Sequence, residues 1–114
     1  MVVERGEIWW ADLDEPRGSA PGFPRPVVIV QRDSFNRSRI HTVIAVALTT
    51  NLNLVSYPGN VLVPSKDSGL PRDSVANVSQ VVTVDKSFLT ERIGLLRKPL
   101  LTEIEDGLRL ILDL

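Results

Sequence analysis

The chain has 114 residues, one domain's worth, and its 43% hydrophobic content supplies a core without help from disulfides or metal. Its 13 Lys+Arg and 14 Asp+Glu leave a net charge of −1, which at first excludes a strongly basic nucleic-acid binder. With no cysteine and one histidine, His41, the chain cannot build a disulfide framework, a thiolate zinc site, a Cys nucleophile or a two-His acid–base pair. No apolar run approaches the roughly 18 residues that cross a bilayer. The first residues, Met1 to Gly6, lack the charged head and apolar middle of a signal peptide.

In chain order, Glu7–Leu13 reads as a strand, with Trp9, Ala11 and Leu13 on one face and Ile8 and Trp10 on the other. Both faces are apolar, so both should be covered. Asp14–Pro26 holds four prolines and two glycines and is expected to be a loop, long enough to hint at function. Val27–Val30 and Thr42–Leu48 are β-branched and read as buried strands, separated by the polar, basic segment Gln31–His41. Asn60–Pro64 is a short strand after the Pro58-Gly59 turn, and Ser65–Asp73 is a second loop. Ser74–Asp85 alternates as a strand, and Arg92–Leu96 is the last one.

The C-terminal segment changes period. Leu101, Ile104, Leu108, Ile111 and Leu112 form the stripe of an amphipathic helix. Pro99 suits its first turn, and Thr102 to Glu105 has the spacing of a capping box. Gly107 should weaken the helix by about 1 kcal/mol relative to Ala. Five to seven short strands and one terminal helix predict a single α+β domain over residues 1–114: a small, mainly β barrel with a helical cover.

The near-zero charge conceals an uneven distribution. Between Arg17 and His41 five arginines face one acid, Asp33, for +4; between Pro99 and Leu114 four acids face Arg109, for −3. A basic front of this kind suits a nucleic-acid backbone, because arginine grips phosphate bidentately.

Several runs, in order and with matching gaps, resemble one family. They are Arg5-Gly6-Glu7-Ile8-Trp9, Asp12-Leu13, Gly18-Ser19 and Arg25-Pro26-Val27-Val28, followed by Asn36-Arg37 and Leu48-Thr49. Arg72-Asp73-Ser74-Val75, Gln80, Thr83-Val84-Asp85 and Leu89 continue the series. Together they resemble the MazF/PemK toxins of type II toxin–antitoxin systems. The resemblance implies an SH3-like barrel, a homodimer and a cytoplasmic mRNA interferase. It also implies cleavage of single-stranded RNA at short sequence motifs to 2′,3′-cyclic phosphate and 5′-hydroxyl ends, with no metal and no cofactor. An acidic, MazE-like antitoxin would hold the enzyme silent.

Matched residue by residue, the family assigns catalysis to Arg25 and Thr49. Ser19, Gly22, Thr50, Asn77 and Gln80 are candidates for reading bases or sugar. One branch of the family uses an Arg, an Asp and a loop His where this chain has Asn77, Ser79 and Ser19, so that machinery is absent. His41 matches no catalytic position and reads as a strand-flanking residue. Trp9 and Trp10, on opposite faces, read as core and groove or dimer surface. Two other classes would use a similar barrel: a non-enzymatic toxin that binds DNA gyrase, like CcdB, and an SH3-like interaction module. The second needs an aromatic-lined groove, and 5% aromatic residues is thin for one.

Overall fold

A computed structural model describes residues 2–13, 18 and 23–114. Six strands, β1 (Glu7–Leu13), β2 (Phe23–Ile29), β3 (Thr42–Thr49), β4 (Val61–Val63), β5 (Ser74–Asp85) and β6 (Leu89–Leu95), form one antiparallel sheet in the order β4-β5-β3-β2-β1-β6. Two single-turn helices, α1 (Asp33–Asn36) and α2 (Ser65–Ser68), lie in the connections, and α3 (Lys98–Leu112) closes the chain. The expected mainly-β barrel with a C-terminal helix is therefore found, as a curled sheet or half-barrel.

The alternation of β1 resolves as expected. Trp9, Ala11 and Leu13 join one apolar cluster with Val27, Ile29 and Val43; Ile8 and Trp10 join another with Val28, Val46 and Leu48. α3 roofs the second cluster with Leu100 and Ile104, both buried. The sheet edges β4 and β6 do not pair with each other. Instead α2 bridges the gap to β6, with Ser68 O so close to Gly94 that a Cβ there would lie 2.9 Å away.

Three sequence expectations need correction. The strand β2 begins at Phe23, so the proline-rich loop ends four residues before Val27. Pro24 and Pro26 pair with Asp12 and Trp10 of β1, whereas pairing with β3 starts only at Val27. Alternate residues direct their N–H to the same side, so both missing donors fall on one edge of β2, and that edge is left unpaired. α3 starts earlier than a Thr102–Glu105 capping box would require. Leu101 N already donates to Arg97 O at 3.1 Å, Thr102 lies within the helix, and Glu105 instead meets Arg5 in an ion pair. Gly107 is not a mere weakness: a Cβ there would sit 2.1 Å from Gly59 O, so its absence lets α3 settle on the turn before β4.

Much of the motif series is scaffolding. Gly6, at φ +90°, donates to Ile29 O at 2.7 Å and accepts from Leu96 N at 2.9 Å, fastening the N-terminus between β2 and the end of β6. Glu7 is buried and accepts from Glu4 N (2.7 Å), the Trp9 indole (3.1 Å) and Arg92. Asn36 is buried too, giving a hydrogen bond to Gln31 O and accepting one from the Gln31 amide, each at 2.9 Å. Asp85 caps the turn Lys86–Phe88 by accepting from Ser87 N at 2.9 Å.

Candidate active site

The register of the central strands assembles the site. Val27 stands opposite Ala47, the last pair between β2 and β3, and Arg25 and Thr49 each lie two residues beyond it on their strands. On its other side Thr49 pairs with Val75. Thr49 thus lies between the strand that carries Arg25 and the strand entered through Arg72, Asp73 and Ser74.

A cleft of about 340 Å³ opens at this end of the sheet. Trp10, Pro24, Pro26 and Leu48 line it from β1, β2 and β3, and Leu70, Pro71, Arg72 and Ser74 from the lead-in to β5. Arg25, Thr49 and Thr50 complete it. Trp10 faces the cleft while Trp9 is buried on the opposite side of the sheet, the division of labour expected of the pair.

The charged groups among the described residues of the cleft, Arg25 and Arg72, are both cationic. Among the described residues, four arginines are held in ion pairs: Arg5 with Glu105, Arg92 with Glu7, Arg97 with Asp67 and Arg109 with Asp106. Arg25 and Arg72 belong to none of these pairs, and no acid is among the described residues lining the cleft. Thr49 Oγ1 accepts from Asn51 N at 3.2 Å, which engages one lone pair and leaves its O–H to donate. No group of three or more His, Cys, Asp or Glu side chains gathers among the described residues.

Of the residues assigned from sequence, Arg25, Thr49 and Thr50 come together here. Ser19 and Gly22 lie outside the described residues. Asn77 and Gln80 do not line the cleft. They fall where residues 77–80 of β5 span the register between Val46↔Val81 and Leu48↔Ala76, opposite the single residue Ala47. Asn77 is buried there, and its side-chain oxygen accepts from Ser79 Oγ at 2.8 Å.

The sequence reading also missed residues that line the cleft. Arg72 and Ser74 belong to a motif run already noted, but only the β3–β5 register reveals that their segment reaches Arg25. The basic front does not act as one surface. Arg32, Arg37 and Arg39 are exposed around α1, which joins the far ends of β2 and β3, away from the cleft. His41 is exposed beside Asp85, and its carbonyl accepts from Lys86 N at 2.8 Å.

Two carboxylates outside the cleft are tuned by the scaffold. Burial pushes Glu7 up, but hydrogen bonds from Arg92, Glu4 N and the Trp9 indole outweigh it and hold its pKa below the ordinary value. The Arg5 backbone N–H, 2.7 Å away, lowers Asp33, with help from the Asn36 amide.

Residues 4–112 match the family described as PemK-like, MazF-like toxin of type II toxin–antitoxin system. The chain is 49% identical over 114 residues to endoribonuclease MazF6 of Mycobacterium tuberculosis, covering the whole of both. Its fold superposes on MazF from Deinococcus radiodurans with a TM-score of 0.83 at 20% identity, over 100% of this chain and 99% of that one. A second similar structure is an endoribonuclease in complex with its cognate antitoxin from Mycobacterial species, with a TM-score of 0.74 at 26% identity over 99% and 95% of the two chains.

Proposed function

Because this chain belongs to the PemK-like, MazF-like toxin family and is an endoribonuclease, we propose that it cuts single-stranded mRNA, at a short sequence motif, in the Arg25–Thr49 cleft. The observation that carries this reading is that Arg25 and Thr49, 24 positions apart in sequence, line one cleft that offers guanidinium and hydroxyl donors.

The proposed chemistry uses the RNA's own 2′-OH. Its oxygen attacks the adjacent phosphorus, the bond from phosphorus to the 5′-oxygen breaks, and the products end in a 2′,3′-cyclic phosphate and a 5′-OH. The reaction concentrates negative charge on the phosphorane oxygens. Arg25 offers planar, preorganised donors to that charge and supplies a proton to the departing 5′-oxygen, while the 2′-OH proton passes to water, which returns one to Arg25. The Thr49 hydroxyl, steadied by Asn51 N, donates to a phosphate oxygen beside it. Charge stabilisation comes from side chains, so the reaction requires no metal or other cofactor.

Thr50 contacts the neighbouring nucleotide, along with Ser19 and Gly22 of the preceding segment. Gln80 keeps its assignment only as a contact to RNA outside the cleft; Asn77, buried and bonded to Ser79, does not. A base splayed from the strand stacks on Trp10, as single-stranded RNA is commonly read.

The antitoxin held by the similar mycobacterial endoribonuclease supports the same kind of partner here, an acidic antitoxin that silences the enzyme. The active form is proposed to be a cytoplasmic homodimer. Among the described residues no helix is long and apolar enough to cross a membrane. The gyrase-binding and interaction-module alternatives are not favoured: the relative is named an endoribonuclease, and one tryptophan does not make an aromatic polyproline groove.

Incubating the protein with a long unstructured RNA in EDTA tests the proposal. Fragments carrying 5′-OH ends are expected, and the Arg25→Ala variant should lose most turnover while remaining folded. Full activity in that variant would remove the site assignment.

A further inference from the structure

The cleft contains a second guanidinium to which the proposed reaction gives no role. Arg72 lies on the β5 side of Thr49 and Arg25 on the β2 side, so the two arginines flank β3. At the usual spacing between neighbouring strands, the two flanking backbones are about 10 Å apart.

Arg72 is exposed, but its backbone is held on both sides. Leu70 is buried in the core, with its N–H donating to Ser68 Oγ at 2.9 Å. Ser74 is buried as the first residue of β5, and the Asp73 carboxylate accepts from Ser65 N at 2.8 Å. Pro71 further restricts the segment. A long cation fixed at its base, joined to no carboxylate and lining a cleft with no acid among the described residues, is built to meet an anion from outside.

We propose that Arg72 holds a phosphate of the RNA strand next to the scissile one. It is a positioning and binding residue, not a catalytic one. This assignment rests on the RNA-cleaving reading of the cleft.

Each phosphate neutralised on a single strand contributes about 0.7 to the slope of log affinity against log salt. The test measures that slope with an RNA made uncleavable by a 2′-deoxy substitution at the scissile nucleotide, alongside steady-state cleavage of the normal RNA in EDTA. For Arg72→Ala the slope should fall by about 0.7. KM should rise several-fold while kcat stays within about twofold, because binding is lost uniformly along the reaction. Arg72→Lys should restore the slope, since the point charge returns without the fork. Arg39→Ala, at the far end of β2 and β3, should change neither quantity.

An active wild-type enzyme whose slope is unchanged in Arg72→Ala would overturn the Arg72 assignment and leave the cleft's function standing. An equal drop in Arg39→Ala would also overturn it, by placing the RNA track along α1. A wild-type protein that cuts no RNA would overturn both readings.

Discussion

Arg25 and Thr49 were available to the sequence for different reasons. Arg25 sits between two prolines at the end of a Pro- and Gly-rich run, which marks it locally although it proves to lie within β2. Thr49 has no such mark, since a threonine closing a strand is commonplace; only the resemblance selected it, and only the fold brings it into one cleft with Arg25. Arg72 shows the limit of sequence reading more sharply. Its role depends on β5 folding back along β3, a pairing between residues more than twenty positions apart. At this scale, Arg25→Ala should lower turnover by about 10²–10³-fold, the usual loss for a preorganised donor to developing charge, with an unchanged thermal midpoint. Thr49→Val keeps the shape and removes the hydroxyl. It should cost about tenfold in kcat, near the 0.5–1.5 kcal/mol of one hydrogen bond, and Thr49→Ser should restore most of it.

Among the elements, apolar periodicity was decisive where an element buries one face or both. β1, β5 and the stripe of α3 are legible because Trp9, Ile8, Ile104 and their neighbours repeat at the spacing of the structure they form. Boundaries were less legible. Prolines at alternate positions are compatible with β2 because β1 alone pairs there, which no local rule reveals. The position of Gly107 is similar: its helix propensity is poor, but its packing is indispensable. Replacing it with Ala should gain about 1 kcal/mol of helix propensity and lose more, because Gly59 O occupies the space of the new methyl group. A lower thermal midpoint for Gly107→Ala is therefore expected in a melting experiment, and a higher one would contradict the close contact. Ile104→Ala, which empties a fully buried site under α3, should cost about 2–5 kcal/mol in denaturant unfolding.

For the whole molecule, the net charge of −1 is the least informative number and its placement the most. The ion pair of Arg5 with Glu105 ties the N-terminal segment to the acidic helix, while Arg25 and Arg72 remain with the cleft. The carboxylates Glu7 and Asp33 make acid stability a property of the scaffold. Both have folded-state pKa values below their unfolded ones. Their contribution is therefore complete above the unfolded carboxylate range and is lost as pH falls through the folded values. Unfolding titrations should show stability falling steeply below about pH 4.5. Glu7→Gln should be less stable at pH 7 but show a shallower fall, and an unaltered pH slope would contradict the role given to Glu7.

All three scales meet in one claim, that this endoribonuclease cuts RNA with its own guanidinium and hydroxyl groups at the Arg25–Thr49 cleft. Its most direct test is to digest an unstructured RNA with wild-type and Arg25→Ala protein in EDTA and determine the chemistry of the new ends. The account predicts 5′-hydroxyl and 2′,3′-cyclic phosphate ends at a short recurrent motif from the wild type, and very few from the variant. Fragments with 5′-phosphate ends, or cleavage that appears only when magnesium is restored, would contradict it.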